Sequence, residues 1–362
     1  MPPIYQKIMN AIQLWITNNT YKAHDKLPSE AQLMKEFNTS RITVIRALNE
    51  LEAQSIIYRQ KGKGSFVSPK AAYKSESTDI ISLVLPHKIN FFSGGQQYAY
   101  SIAKYCEENN YLCSIHYSNQ LISNEKNILE NLINYNVSGA IIYPIGNKNI
   151  TALSNLYIKD FPIVLLDKQL EELDLPSVSS DNFHGSYNAV KYLIENNHKN
   201  IGFIGVKDSD VVQDRYKGYC RALLDNSILI RDDIIVTEFS NAKGDEQTVL
   251  TLDEAKEILT NMKKSGVSAI FCVNDLTATI IIQAAKSLKI SIPNDISIIG
   301  FDHIQFEDVQ NPNLTSVAQN FDRIAKEAVE LLIKRIKNPQ DKIATNVVVP
   351  TQLYKGKTVK TL

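Results

Sequence analysis

The sequence predicts an α/β chain in two parts: a small helical head closed by a β-hairpin, and a larger body of parallel sheets with helices on both faces. Three observations carry this. Apolar residues recur with helical period in the first fifty or so positions and end at a Gly-rich turn between two β-prone runs. From Asp79 onward, short apolar runs alternate with amphipathic stretches, the pattern of buried parallel strands joined by helices. Residues 79–362 are also too many for a single hydrophobic core, so the body should split into two lobes.

In chain order, Ile8, Ile12, Trp15 and Ile16 place a first amphipathic helix over Tyr5–Asn18. Pro28-Ser29-Glu30-Ala31-Gln32 reads as a helix start, because Ser29 can cap the free amides while Gln32 reaches back. That helix should end near Phe37. Asn38-Thr39-Ser40 is a polar break with capping residues, and Val44, Ala47, Leu48 and Leu51 mark a third helix. Ile56–Tyr58 and Ser65–Val67 flank Lys61-Gly62-Lys63-Gly64 and predict a hairpin. Residues 69–78 are polar and aperiodic, a linker between a head of 1–68 and a body of 79–362. Strands are expected at Ile80–Leu85, Leu112–Tyr117, Ala140–Tyr143, Ile163–Leu166, Ile201–Gly205, Ala269–Val273, Ile296–Gly300 and Val347–Val349. Helices are expected between most of them, among them Gln96–Asn109, Ser186–Glu195, Leu276–Leu288 and Phe321–Lys334.

Composition excludes several classes. With 44% hydrophobic and 22% charged residues in 362, the chain is neither disordered nor collagen-like. It has no apolar run of the ~18 residues a membrane helix needs. No charged and then apolar secretory leader is evident, so a cytoplasmic protein is expected. Cys106, Cys113, Cys220 and Cys272 are scattered and form no CxxC pair, so neither a zinc site nor a disulfide scaffold is signalled. Lys+Arg and Asp+Glu balance at 39 each, but residues 1–70 hold ten basic and five acidic side chains. The asymmetry suggests a basic module joined to a larger neutral or acidic one, although five charges alone are also what a solvated face carries.

Two short helices at a tight turn, a third helix bearing Arg41 and Arg46, and a hairpin bearing Lys61 and Lys63 make a winged helix-turn-helix. The third helix can enter a major groove, where arginine donors meet guanine N7 and O6. Its N-terminus near Ser40 offers amides to a phosphate. The wing glycines allow close approach of backbone to DNA. The segment from Leu27-Pro28-Ser29-Glu30 through Ser40-Arg41-x-Thr43-Val44 to Gly62-x-Gly64-x-Phe66-Val67 resembles the DNA-binding domain of the GntR family of bacterial repressors. The resemblance implies DNA contacts from Ser40, Arg41, Ile42, Thr43, Arg46, Lys61, Gly62 and Lys63. By the same pattern Glu30 faces DNA; on its own chemistry it is equally a carboxylate favoured by a helix N-terminus. The family usually carries a basic residue straight after the Thr-Val pair. Here Ile45 stands there and arginine follows at Arg46, about 100° around the helix.

The body shows no phosphate loop, no GxGxxG after a strand, no HExxH and no GxSxG, which disfavours an enzyme. Polar residues instead follow its strands. Asp167 follows Ile163–Leu166, Asn274-Asp275 follow Ala269–Val273, Asp302 follows Ile296–Gly300, and Arg215 opens a helix beyond Ile201–Gly205. Open α/β sheets bind ligands beyond the carboxyl ends of their strands. Carboxylates and an arginine there suit sugar hydroxyls, and Phe91 and Phe92 could stack on an apolar sugar face.

The stretches PIVLLD, DRYKGYCRAL, SAIFCVNDLTA, IPNDISIIGFDHI and LTSVAQNFDRIAKEAVELL resemble the effector-binding domain of the LacI/GalR repressors, which has the periplasmic-binding-protein fold. That resemblance implies two lobes with the effector between them, contacted by Asp167, Arg215, Asn274, Asp302 and Gln319. It also implies a first lobe of about 79–180 plus 320–343 and a second of 181–318 plus 344–362. The combination implies a homodimeric repressor that binds double-stranded operator DNA and is released by a sugar, with L-arabinose the expected effector. No cofactor and no metal are expected. The competing readings are a sugar sensor without a DNA role and a sugar-modifying enzyme on the same fold.

Overall fold

A computed structural model describes residues 3–18, 20–60, 62–68, 79–86, 94–170, 173–205, 210–239, 250–304, 313–338 and 345–362. The chain divides into two units, Met1–Thr78 and Asp79–Leu362. The linker expected at 69–78 lies outside the described residues, as do Lys61, Phe91 and Phe92.

The first unit comprises α1 (Ile4–Thr17), α2 (Glu30–Glu36), α3 (Arg41–Ala53), β1 (Ile57–Gln60) and β2 (Gly64–Val67). Ser29 and Gln32 form the expected capping box at α2, and Ser40 caps α3. Val44, Ala47, Leu48 and Leu51 are buried against Ile8, Ile12, Leu33, Ile57 and Val67, so the predicted helical faces meet in one core. β1 and β2 pair antiparallel, with Tyr58 opposite Phe66. Gly62 and Gly64 turn the hairpin at φ of 76° and 118°, a region that favours glycine.

The second unit holds two six-stranded sheets. The first has the order β13-β7-β6-β5-β3-β4, all parallel, built from β3 (Asp79–Leu85), β4 (Tyr111–Tyr117), β5 (Gly139–Ile142), β6 (Ile163–Leu166), β7 (Ser177–Ser180) and β13 (Asn346–Val349). The second has the order β14-β12-β11-β10-β8-β9. Its strands are β8 (Ile201–Ile204), β9 (Ile235–Val236), β10 (Ala269–Cys272), β11 (Ser297–Asp302), β12 (Thr315–Ala318) and β14 (Gln352–Tyr354). β14 runs antiparallel to β12, and the other pairings are parallel.

The helices are α4 (Gly95–Glu108), α5 (Ile122–Asn131), α6 (Ile150–Ile158), α7 (Asn182–Glu195), α8 (Asp210–Asp225), α9 (Leu252–Lys264), α10 (Asp275–Ser287) and α11 (Phe321–Lys337). α4 and α11 cover one face of the first sheet, through Tyr98, Ile102, Ile324, Val329 and Leu332. α7 and α8 pack Ala189, Leu193, Tyr219 and Leu223 against Phe203, Phe271 and Phe301 of the second.

The chain passes between the sheets after β7, after β12 and after β13. The last passage corrects the lobe boundary expected from the sequence, which placed 344–362 wholly in the second lobe. Asn346–Val349 instead pairs with Ser177–Ser180 in the first sheet, with Val349 buried in its core and Ser177 Oγ 2.9 Å from Asn346 Oδ1. Apolar content marks Val347–Val349 as a strand but does not say which sheet edge it joins.

Candidate functional site

Two sets of residues converge, one in each unit. In the head, Ser40 Oγ accepts the Thr43 amide at 3.4 Å and lies 3.0 Å from the Thr43 hydroxyl, which fixes the first turn of α3. Arg41 Nε donates to Glu30 Oε2 at 3.0 Å, and Arg59 Nη2 donates to Glu30 Oε1 at 2.9 Å. Arg59 Nη1 also donates to Asn49 Oδ1 at 2.9 Å. Glu30 therefore joins α2, α3 and the wing strand through two arginines. Both of the roles weighed for it from sequence omitted this bridge. Ile42 and Lys63 face solvent. Arg46 turns the other way and stacks over the Tyr5 ring at 4.0 Å. The one-residue offset in the sequence has this geometric outcome: Arg46 packs on α1 instead of standing beside Arg41.

In the body, the strand ends of both sheets bring acids, an arginine and amides together. Asp302 ends β11 and accepts from Arg215 Nη2 at 3.1 Å and from Gln319 Nε2 at 2.7 Å. Arg215 is buried; its Nε donates to Asn182 Oδ1 at 2.8 Å and its Nη1 to the Val273 carbonyl at 2.7 Å. Its guanidinium carbon lies over Phe301, 3.7 Å from the ring centre. Gln319 Oε1 accepts from Ser180 Oγ at the end of β7, a bond between the two sheets' strand ends. Asp167 follows β6 at a φ of 64° and accepts from Tyr143 at 2.6 Å and Tyr98 at 3.3 Å. Asn274 stands slightly apart: its Oδ1 caps α10 by accepting the Thr277 amide at 2.8 Å.

The fields in this cluster overlap. Burial pushes Asp302 up to about 6, Arg215 and Gln319 oppose that shift, and Asp167 adds to it. Burial and the neighbouring Asp167 carboxylate raise both tyrosines well above the usual phenol range. Asp275, the first residue of α10, is also raised by burial and by Asp302. It accepts from Ser316 Oγ at 2.6 Å and from the Ile304 amide at 2.8 Å. Ser316 Oγ in turn accepts the His303 amide at 3.1 Å. These bonds hold Asp302 and His303, consecutive residues at φ of 103° and 54°. Two non-glycine residues in that region need such bracing. The cluster is thus a set of paired donors and acceptors able to exchange hydrogen bonds with a hydroxylated ligand.

The chain matches two family models. Residues 4–67 match the bacterial regulatory proteins of the gntR family, and residues 190–359 match a periplasmic binding protein-like domain. Over 251 residues it is 30% identical to the ribose operon repressor of Haemophilus influenzae, covering 69% of this chain and 73% of that one. The chain belongs to the LacI-type transcriptional repressors. Its head is of the GntR type, and the same pairing extends over the whole length of a further relative. The arabinose metabolism transcriptional repressor of Geobacillus stearothermophilus is 28% identical over 98% of both chains. In structure, the repressor body is similar to the transcription regulator CcpA of Lactococcus lactis, with a TM-score of 0.68 at 20% identity over 78% of this chain and all of the other.

Sequence reasoning on this repressor missed Tyr98, Tyr143, Ser180 and Asn182 as members of the cluster, and named Asp275 only as the neighbour of Asn274 at a strand end. Tyr143 directly follows β5, whereas the sequence reading ended the strand on it and so placed it inside the strand. Asp275 lies beside Asn274, and of the two it makes the deeper connections. No helix among the described residues is long and apolar enough to cross a membrane.

Proposed function

We propose that this repressor controls sugar-utilisation genes in the cytoplasm and leaves its operator when a neutral sugar, L-arabinose, enters the cleft lined by Asp167, Arg215, Asn274, Asp302 and Gln319. The observation that carries the reading is the convergence of Asp302, Arg215, Gln319 and Asp167 at the strand ends of two separate sheets. A polyol that replaces their mutual bonds must contact both lobes and so favours one arrangement of them. A ligand shifts an equilibrium only through its differential affinity for the two states. Sugar and DNA then oppose each other reciprocally, with a coupling of roughly 1–3 kcal/mol. The choice of L-arabinose rests on the name of the full-length Geobacillus relative.

The head reads DNA through Ser40, Arg41, Ile42, Thr43, Gly62 and Lys63, with Glu30 aligning Arg41. The body joins two copies, which places two heads on half-sites about one or more helical turns apart. The sugar is a signal and is not chemically changed. A mobility-shift titration of the full-length protein on duplexes from upstream of sugar-utilisation genes tests this, without ligand and with L-arabinose, D-ribose, D-xylose, hexoses and sugar phosphates. Release by a single neutral pentose, recovered unaltered after incubation, is the expected result. Binding that no sugar weakens would refute the effector assignment. No binding at all would favour a sensor without a DNA role.

A further inference from the structure

We propose that Ile42 reads the C5-methyl group of a thymine in the operator. The inference deepens the DNA-binding reading above and rests on it.

Ile42 is the second residue of α3 and is 81% exposed, against 45% for Ile4 and 56% for Leu14, the other exposed large hydrophobics described in the head. Single exposed apolar residues are ordinary on protein surfaces. The placement of this one is not. The N-terminal turn of the second helix of a helix-turn-helix is where side chains meet base edges in the major groove. That turn is fixed on every side of Ile42. Ser40 caps it, Thr43 bonds back to Ser40, and Arg41 is drawn toward Glu30. One turn on, Arg46 lies over Tyr5, so its aliphatic stem does not cover Ile42. Ile45, three positions along, is half-buried. The reading face is therefore a rigid apolar knob beside a held guanidinium.

The basic excess of the head favours a polyanionic partner over an apolar protein groove. Among the four bases, only thymine presents a methyl group in the major groove. Arg41 supplies donors for guanine N7 and O6, and Ile42 supplies the apolar surface a thymine methyl requires.

The test uses the full-length protein and a duplex that it selects from a random-sequence library. Each thymine of the selected duplex is replaced in turn by deoxyuridine, which removes the methyl alone and keeps every hydrogen-bonding group. Burial of one methyl corresponds to about a four-fold change in affinity. Deoxyuridine at one position of the half-site should therefore weaken binding about three- to five-fold. Ile42→Ala, a surface change that spares the core, should bind the thymine and deoxyuridine duplexes equally. Ile42→Val should keep most of the discrimination. A parent protein indifferent to every deoxyuridine overturns the proposal. So does a sensitivity that persists unchanged in Ile42→Ala, since another group would then be reading the methyl. Failure to select any duplex overturns the DNA-binding reading, and this inference with it.

Discussion

Arg215→Met should destabilise the repressor body by an amount that grows with pH. Methionine keeps an apolar stem over Phe301 but removes the donors to Asn182, the Val273 carbonyl and Asp302, at 2.8, 2.7 and 3.1 Å. Removing one partner of a buried ion pair costs about 3–5 kcal/mol, because the other charge is left uncompensated. Here the remaining partner can take up a proton. Burial raises Asp302 to about 6 in the parent even though Arg215 opposes the shift, so without the arginine it titrates higher still. The parent itself loses stability from this group as pH rises from about 4, its unfolded value, to 6, where the native carboxyl releases its proton.

Below pH 6 the carboxyl is protonated in both native proteins, and only hydrogen bonds and packing separate them. Above pH 6 the native variant still binds a proton that the parent has released. The variant then falls behind the parent by about 1.4 kcal/mol per pH unit until its own carboxyl ionises. Between pH 6 and 7.5 the gap should widen by up to about 2 kcal/mol. Urea unfolding followed by circular dichroism at pH 5.5 and 7.5 measures it. Asp302→Asn and Arg215→Met/Asp302→Asn serve as the reference pair, since neither has this carboxyl to titrate and the gap between them should not change with pH. An equal gap for the single variant at both pH values would mean that Arg215 and Asp302 do not share a field, and the electrostatic account of the cleft would fail.

Three further outcomes are expected. Arg41→Ala should lower operator affinity by about 1–3 kcal/mol and relax sequence preference, while Lys63→Ala weakens all duplexes alike and reduces the salt slope by about one. Anisotropy titrations across salt concentrations distinguish the two, and altered base preference in Lys63→Ala would contradict its assignment. Tyr143→Phe removes the 2.6 Å bond to Asp167, so melting temperature should fall by the equivalent of about 1 kcal/mol and the stabilising effect of added L-arabinose should shrink. An unchanged sugar response would take Tyr143 and Asp167 out of the effector site. Gly300→Ala places a methyl 2.2 Å from Asp275 Oδ1 and should destabilise the body by about 1–3 kcal/mol through displacement of that carboxylate from Ser316 and Ile304. An unshifted melting curve would show that the carboxylate gives way freely.

The head was legible in sequence because each device in it is local. A cap, a helical period and a glycine turn each lie within a few residues of one another. The body's central strands were legible as apolar runs, and Ile163–Leu166 was located to the residue. β7 (SVSS) and β12 (TSVA) were not, because serine and threonine in a run argue against a buried strand. These strands are buried nonetheless, since their hydroxyls are satisfied over long range. Ser180 bonds Gln319, Ser316 bonds Asp275, and the Thr315 hydroxyl accepts the Gly356 amide. Missing β7 hid Asn182, which sits just past its end. Tyr98 carried no signal that sets it apart from a core aromatic: it is 1% exposed, and its hydroxyl reaches Asp167. The strand-end rule found Asp167, Asn274 and Asp302. It could not tell that Asn274 is occupied as a cap while its neighbour Asp275 braces the loop behind Asp302.

The passage of the chain between the sheets bears on how the protein is made. The head is one continuous run with its own core, complete when Val67 is available. Neither sheet of the body is continuous. β7 lacks its outer neighbour until Asn346–Val349 emerges, and β12 lacks its own until Gln352–Tyr354 does. Domains fold as units during synthesis, N-terminal first. The reading head therefore forms on the ribosome long before the cleft, and the body remains open at two strand edges until almost all of these residues are made. A chain terminated after α11 would carry an intact head on a body with the outer edges of Ser177–Ser180 and Thr315–Ala318 unpaired, edges that invite pairing with other chains. Stop codons between positions 338 and 352 should thus yield aggregated or proteolysed bodies rather than repressors that merely ignore sugar.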